Sequence, residues 1–336
     1  MEINNERSNE DSWSNWMTII KKYNQPSLLK SWWQIINSFV PFFALWVLMV
    51  YTLKVSYWLT LPLTVIAAGF LVRIFIIFHD CGHGSFFKSP LMNRIVGIFA
   101  GILVFTPYHK WHYAHKIHHQ TVGNLDKRGK GDVMTLTVSE YQSLSTSKKL
   151  SYRLYRNPII LLLIAPFFIF TLFYRFPEKE RPFKENLYTH LTTLGIIGII
   201  TLVSHFIGLK AFLMIEIPLF FVASIQGVWL FYVQHQYKWV LWMRNETWDY
   251  KTIAMKGSSF LKLPKVLQWF TGNIGYHHIH HLSSQIPNYN LEKCYIENPI
   301  FQEIKHINFF TSLESVRYRL WDEQKQKLVG FKEAFA

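Results

Sequence analysis

Cysteine is scarce: Cys81 and Cys294 are the only two in 336 residues, and they lie far apart. This excludes a disulfide framework and points the polar parts of the chain towards a reducing compartment. Charge is also scarce. Asp, Glu, Lys and Arg make up 17% of the chain, against roughly a quarter in an ordinary soluble domain. The balance leans one way, with 35 Lys+Arg against 21 Asp+Glu and a formal net charge of +14. Half of the residues are hydrophobic, and they cluster in long blocks. Disorder, a collagen-like chain and a soluble enzyme are thereby disfavoured. The stretch Met1 to Trp16 is polar and mostly acidic. It lacks the basic start and short apolar core of a signal peptide, so the first apolar block is expected to act as its own insertion signal. No internal repeat, low-complexity tract or flexible linker stands out.

What is present is a set of apolar blocks of membrane-crossing length. A helix needs about 20 mostly apolar residues to cross a bilayer. Ile35 to Leu53 and Tyr57 to Phe78 qualify and are separated by a short linker, so they are expected to form a hairpin. The single charge in the second, Arg73, is expected to snorkel to the interface. Lys21, Lys22 and Lys30 precede the first span and place the N-terminus in the cytoplasm. Ile95 to Thr106 is too short to cross and reads as a re-entrant or interfacial segment. The polar stretch 107–157 follows, with nine Lys/Arg and three Asp/Glu. Of the next three blocks, Ile159 to Phe176 is interrupted by Pro166. Its following loop carries Arg175, Lys179, Arg181 and Lys184, which favours the cytoplasm. It is expected to dip without crossing, while 190–208 and 211–233 form a second hairpin through Gly208–Lys210. The expected fold is an all-α integral membrane protein forming one domain over 1–336. It has four transmembrane helices, two membrane-dipping segments (95–106 and 159–176), both termini inside and a cytoplasmic helical cap (107–157 and 236–336). The alternative is a six-crossing count.

The histidines carry the chemistry. Three clusters occur: His79-Asp80-Cys81-Gly82-His83, His115-Lys116-Ile117-His118-His119 and His277-His278-Ile279-His280-His281. On a helix, residues i, i+3 and i+4 project from one face. His79 and His83 then line up, as do His115, His118 and His119, and His277, His280 and His281. Imidazole suits iron, zinc, copper or nickel. Eight are too many for one ion, which takes about four to six ligands, so two metals are the economical count. His235, at the cytoplasmic end of the last span, is a ninth candidate at the depth of His79.

Other features read more plainly. His112 sits three residues before His115 and is a candidate for supporting a ligand, but His109 and His112 are expected at the surface. His278 is rotated by about 100° from His277 and is expected outside the ligand set, beside it or at the surface. His190, His205 and His306 read as structural, and Cys81 as a small packed residue. The run Asn124 to Asp132 is a turn-rich loop. Asp126 or Asp132 is placed to orient a ligand histidine, although a solvated loop is the plainer expectation.

The three boxes, HDCGH at 79–83, HKIHH at 115–119 and HHIHH at 277–281, resemble those of the membrane fatty acid desaturases, in order and in span layout. The resemblance covers roughly residues 30 to 325. It looks strongest to the Bacillus-type acyl-lipid subgroup that inserts a Δ5 double bond into phospholipid chains, through segments such as Ile74 to Cys81, Asn124 to Arg128, Val228 to His235 and Leu267 to Tyr276. It implies a di-iron centre with ligands carried over to His79, His83, His115, His118, His119, His277, His280 and His281, and an additional ligand at His235. It implies an oxidoreductase that uses O2 and two external electrons to convert a saturated acyl chain of a membrane phospholipid into a cis alkene. No haem, flavin or iron–sulfur motif appears, so a separate ferredoxin or flavodoxin donor is expected, drawn to the basic cytoplasmic face. The same charge also suits anionic membrane lipids, and no nucleic acid partner is expected. The implied location is the bacterial cell membrane, multi-pass, with the site on the cytoplasmic side. Two rivals remain: an acyl hydroxylase or carotenoid ketolase on the same scaffold, and a histidine-rich metal transporter.

Overall fold

The computed structural model describes residues 15–129, 131–178 and 181–335. Lys179, and all of the Met1–Trp16 stretch before Asn15, lie outside the described residues. After a short helix α1 (Trp16–Lys21) come two long helices, α2 (Leu28–Val55) and α3 (Tyr57–His83), joined at Ser56 alone. The Ser56 hydroxyl caps α3 by accepting from the Trp58 N–H, which satisfies one of the free donors of a helix start. Both helices are longer than the apolar blocks within them. α3 therefore carries its last turn, with His79 and His83, beyond the apolar run. It ends there because Gly84 takes a left-handed φ of 70°, a conformation that suits glycine.

Next come α4 (Pro90–Leu103) and α5 (Tyr108–Thr121), which bend by 102° at the break between them. The corner is tight: a Cβ at Gly97 would lie 2.3 Å from the Tyr108 ring. The Tyr108 hydroxyl crosses to donate to the Cys81 carbonyl at 2.7 Å, tying α5 to the end of α3. Two short helices follow, α6 (Val138–Ser143) and α7 (Thr146–Tyr155). A π-helical turn, Ile159–Ile164, leads into α8 (Ala165–Thr171), with a 48° bend from α7. The second hairpin is α9 (Phe183–Ile207) and α10 (Leu209–His235), separated by Gly208 alone.

Among the described residues, α2, α3, α9 and α10 are the four helices long and apolar enough to cross a membrane; counting each bent pair as one span raises the number to six. α3 is the most enclosed of the four and α9 the least. α3 packs against α2, α4 and α10, so the helix that carries the first histidine pair is also the centre of the bundle.

The rest of the chain forms the cap: α11 (Tyr250–Lys256), α12 (Lys265–Phe270), α13 (His277–Leu282) and α14 (Asn288–Glu297). Among the described residues, this part and the stretch after α5 also contain five short strands that the sequence pattern did not reveal. They are β1 (Leu136–Thr137), β2 (Phe260–Lys262), β3 (His306–Asn308), β4 (Leu320–Asp322) and β5 (Lys327–Val329). β1 pairs parallel with β4, β4 antiparallel with β5, and β2 parallel with β3. Each strand has two or three residues, too short for an alternating pattern to register. They tie the stretch after α5 and the chain's end to the region around α10.

Arg73 differs from its expected place. It does not reach an interface but is buried inside the bundle. Its Nε donates to the Ser38 hydroxyl at 3.1 Å and Nη1 donates to the Trp269 carbonyl. Its guanidinium lies 3.9 Å over the Trp269 ring. The physical reason is that a guanidinium can stack on an aromatic face while donating from its edge. It thus pins α12 to α2 and α3. Replacing Arg73 with Met leaves buried acceptors without donors, at about 1–3 kcal/mol for each such group. A thermal unfolding series in detergent should show a clearly lowered midpoint for Arg73→Met, and an unchanged midpoint would contradict this role.

Candidate metal centre

The nine histidines singled out from the sequence converge where α3 and α10 end against α5 and α13. They fall into two groups. His79, His83, His115, His119 and His280 form one; His118, His235, His277 and His281 form the other. Within each group the candidate ligand nitrogens all lie within 4.8 Å of one another. The partition follows from helix geometry. Positions i and i+4 are about 40° apart around a helix, whereas i+3 and i+4 are about 100° apart. α5 therefore sends His115 and His119 to the first group and His118 to the second. α13 does the reverse, sending His277 and His281 to the second and His280 to the first.

The outer nitrogens of three rings are fixed by acceptors. Asp80 Oδ1 faces His79 Nδ1 at 3.0 Å. Asp132 faces His118 Nδ1. The Gly257 carbonyl faces His235 Nδ1 at 3.1 Å. A proton held at Nδ1 leaves the Nε2 lone pair directed inward, the arrangement that ligating histidines use. Asp80 is itself held: its Oδ2 accepts from the backbone N–H and the Nδ2 of Asn288, at 2.7 and 2.8 Å. Asn288 Oδ1 in turn accepts from Gln34 Nε2 at 3.0 Å. A chain of buried hydrogen bonds thus runs from α2 through α14 to a ring in the first group.

The inner nitrogens crowd together. His235 Nε2 lies 2.9 Å from His277 Nε2, His281 Nε2 lies 3.1 Å from His277 Nε2, and His119 Nε2 lies 3.1 Å from both His115 and His280. Burial, and then neighbouring imidazoles, hold His115, His119, His277, His280 and His281 well below the usual histidine pKa. They are therefore neutral, the state in which imidazole ligates a metal. His83 Nε2 is buried with no hydrogen-bond partner, which is costly for a polar atom unless something else satisfies it. Nitrogens held about 2.0–2.1 Å from an ion lie roughly 3–4 Å apart, close to the spacings seen here. All-imidazole sets of five and four donors fit two first-row transition ions.

The remaining residues sort as follows. Asp132, expected to be solvated, is turned onto His118, because Gly131 packs its backbone against the α5 surface at Ala114. Asp126 instead pairs with Arg244 and accepts from the Asn245 N–H at 2.8 Å, so it orients no histidine. Asp80, inside the first box, and Asn288 were missed by the sequence reading. A carboxylate one residue after a candidate ligand was the available signal for Asp80. His278 is fully buried, not at the surface, and bonds the Phe301 carbonyl at 3.1 Å; burial pushes its pKa down to about 3. His109 and His112, expected at the surface, are half-buried. The His109 ring packs 4.2 Å from the Tyr188 ring, because α9 lies alongside α5. The His112 ring lies parallel to Tyr108 in the corner beside Gly82. His190, His205 and His306 are exposed and lie outside both groups, and Cys81 is buried.

A cavity of about 390 Å³ leads away from the histidines. His79, His115 and His277 line it together with Phe231, whose ring lies 5.2 Å from that of His118, and its other lining residues include Phe75, Phe170, Val104 and Phe220. Trp111 lines it beside His115 and stacks on that ring at 4.3 Å. Its volume falls in the range of small-molecule sites, about 300–1,000 Å³, and its walls are predominantly apolar.

Comparison with known proteins agrees with this geometry. The model of a family described as "Fatty acid desaturase" matches residues 56–307. The chain is 48% identical over 313 residues to "Fatty acid desaturase" of Bacillus subtilis (strain 168), covering 93% of this chain and 89% of that protein. It is 26% identical over 279 residues to "sn-1 acyl-lipid omega-3 desaturase (ferredoxin)" of Nostoc sp. (strain 36), covering 79% and 74%. It is 30% identical over 284 residues to "Acyl-lipid omega-3 desaturase (cytochrome b5), endoplasmic reticulum" of Arabidopsis thaliana, covering 79% and 69%.

Loss of an outer partner of a ligating histidine commonly lowers metal affinity about 10–100-fold. Asp132→Ala is expected to do so in chelator competition on the purified protein, whereas Asp126→Ala leaves affinity unchanged. Equal affinities for Asp132→Ala and the unaltered protein would remove Asp132 from the site.

Proposed function

The chain belongs to the fatty acid desaturase family, and from that premise we propose that it is an O2-dependent acyl-lipid desaturase. It places a cis double bond, at Δ5, in saturated acyl chains of membrane phospholipids. Nine of its 15 histidines, His79, His83, His115, His118, His119, His235, His277, His280 and His281, hold two irons. The observation that carries this reading is the meeting of two imidazole groups with an apolar-walled cavity of about 390 Å³. The Δ5 position rests on the resemblance to the Bacillus subgroup.

The chemistry of the substrate supports a metal-based oxidation. A methylene in mid-chain has no acidic proton and no leaving group, so general acid–base groups have nothing to act on. When bound, a pair of irons supplies the oxidising power that such a C–H bond requires. In the overall conversion, two hydrogens leave adjacent carbons, two electrons and two protons arrive from outside, and O2 is reduced to two waters. The chain's own residues do the positioning. The apolar walls strip water from the acyl chain and present its methylenes to the His79, His115 and His277 end of the cavity. Asp80, Asp132 and the Gly257 carbonyl hold the outer N–H groups, so the inner nitrogens cannot turn away. Trp111 fixes the His115 ring by stacking.

Orientation follows from charge. Lys21, Lys22 and Lys30 put the N-terminus in the cytoplasm, and an even number of crossings returns both histidine groups to the same side. The two bent pairs, α4–α5 and the α7–α8 segment, are read as dipping into the membrane without crossing it, and the chain as one domain. The cap then lies in the cytoplasm of a bacterial cell, within reach of a soluble one-electron donor. Net positive charge favours an acidic donor of the ferredoxin or flavodoxin kind. The name of the Nostoc relative carries a ferredoxin, and that of the Arabidopsis relative a cytochrome b5.

The test is a lipid profile. The protein and its His118→Ala variant are expressed in a bacterium that lacks Δ5 unsaturated lipids and supplies a ferredoxin or flavodoxin. Phospholipid acyl chains are then analysed by gas chromatography–mass spectrometry with derivatives that locate double bonds. A Δ5 alkene present only with the unaltered protein is expected. Hydroxylated chains would replace this reading with the sister oxidation, and unchanged lipids from an iron-loaded protein would contradict it.

A further inference from the structure

The wall of the cavity is graded along α10. Its lining positions there include Phe220, Ala223, Ser224, Gly227, Phe231 and Gln234, whose spacing keeps them on one helical face. Ala223, Ser224 and Gly227 give the middle of that face small residues, and Phe220 is its member farthest from Gln234. From Gln234, Gly227 lies 7 residues and about 10 Å along the helix, and Phe220 lies 14 residues and about 21 Å along it.

Gly227 is the unusual member. A glycine inside a helix weakens it, and a glycine is commonly explained by a neighbour that leaves no room for a Cβ. Here the opposite holds: a Cβ built at Gly227 meets no atom within 4 Å. Since Gly227 lines the cavity, the space its side chain would fill is the cavity itself.

The far end is held firmly. Phe220 is buried, and its ring stacks on Phe105 with centroids 4.3 Å apart and planes 26° from parallel. Phe105 has a φ of 51°, a left-handed conformation that a side chain of this size rarely adopts. Such a residue persists only where its surroundings over-determine it. Here the Arg175 guanidinium donates to the Phe105 carbonyl, and the Thr106 N–H closes on the Gly101 carbonyl at 2.7 Å. The corner between α4 and α5 thus places one aromatic ring directly behind another at the end of the cavity.

We propose that Phe220, backed by Phe105, is the floor of the acyl-chain cavity and that Gly227 keeps the passage to it open, so that these positions set the longest acyl chain the protein accepts. This rests on the reading that the cavity takes an acyl chain. A hydrophobic pocket discriminates by about 10–200-fold for a single methylene, so a floor moved by one helical turn changes which chains fit.

Three variants test the proposal: Gly227→Leu, Phe220→Ala and, as a control, Gly198→Leu. Gly198 lies on α9, is exposed, and also has no atom within 4 Å of a built Cβ, but it lines no part of this cavity. Replacing a helix-interior glycine by leucine favours the helix, so folding is not at risk in the two glycine variants. Each is expressed as in the lipid profile, and unsaturated products are sorted by chain length. Gly227→Leu is expected to lower the ratio of long-chain to short-chain alkenes at least about tenfold, Phe220→Ala to raise it, and Gly198→Leu to leave it unchanged. In parallel, the purified proteins are melted in detergent with saturated phospholipids of graded chain length, which reads binding without turnover. Gly227→Leu should keep the stabilisation by short chains and lose that by long ones. Alkene formation with the same chain-length ratio in Gly227→Leu and Phe220→Ala, or equal stabilisation by every length, would overturn the floor. Absence of alkene from the unaltered protein would instead overturn the desaturase reading on which the floor depends.

Discussion

Nine imidazoles, eight of them buried and His83 half-buried, face one another across distances at which neutral rings repel unless a proton or a cation sits between their lone pairs. That constraint organises the molecule. Each ring must arrive neutral, with its outer N–H satisfied where a partner is fixed and its inner nitrogen free. The partners are drawn from distant parts of the chain: Asp80 on α3, Asp132 on a loop, and the Gly257 carbonyl after α11. Without a cation at each group, His83 Nε2 stays unpaired in the interior, and leaving such an atom unsatisfied costs folding energy. On the proposed reading, metal binding and folding are therefore coupled.

The bundle exists to deliver these rings at one depth. α3 and α10 carry His79, His83 and His235 on their last turns. α5 and α13 lie across those ends and bring the rest. The same helices that end in histidine are, a few turns earlier, the apolar walls of the cavity. On the proposed reading, an acyl chain lying along α10 would be aligned with the two histidine groups by the helix that carries His235. Arg73 and the Asn288–Asp80 link extend the arrangement outward, fastening α12, α14 and the first span to the site.

Much of this was legible in the sequence because it is local. Apolar blocks of crossing length marked four helices, and histidines at i, i+3 and i+4 marked the converging faces. The partition into groups of five and four was not legible, although the 100° between i+3 and i+4 contains it. That angle has meaning only once the facing helices are known. Asp132 was read as a loop residue because 14 positions separate it from His118, and only the packed path of the loop brings them together. Arg73 was misjudged for a related reason. A charge near the end of a span has two escapes, the interface or a protein partner, and its partner Trp269 lies 196 positions away. His278 shows the reverse: its rotation out of the ligand set was readable, but its burial against the Phe301 carbonyl was not. The cap's strands, two or three residues long, leave no periodic trace.

The central claim is that each histidine group holds one iron. Protein purified without added chelator under anaerobic conditions, quantified for every transition metal by elemental analysis and examined by Mössbauer spectroscopy, tests it directly. The account predicts two irons per chain, one for each group, in environments dominated by nitrogen. One metal per chain, or two of a redox-inert kind in protein that carries out the oxidation, would contradict it.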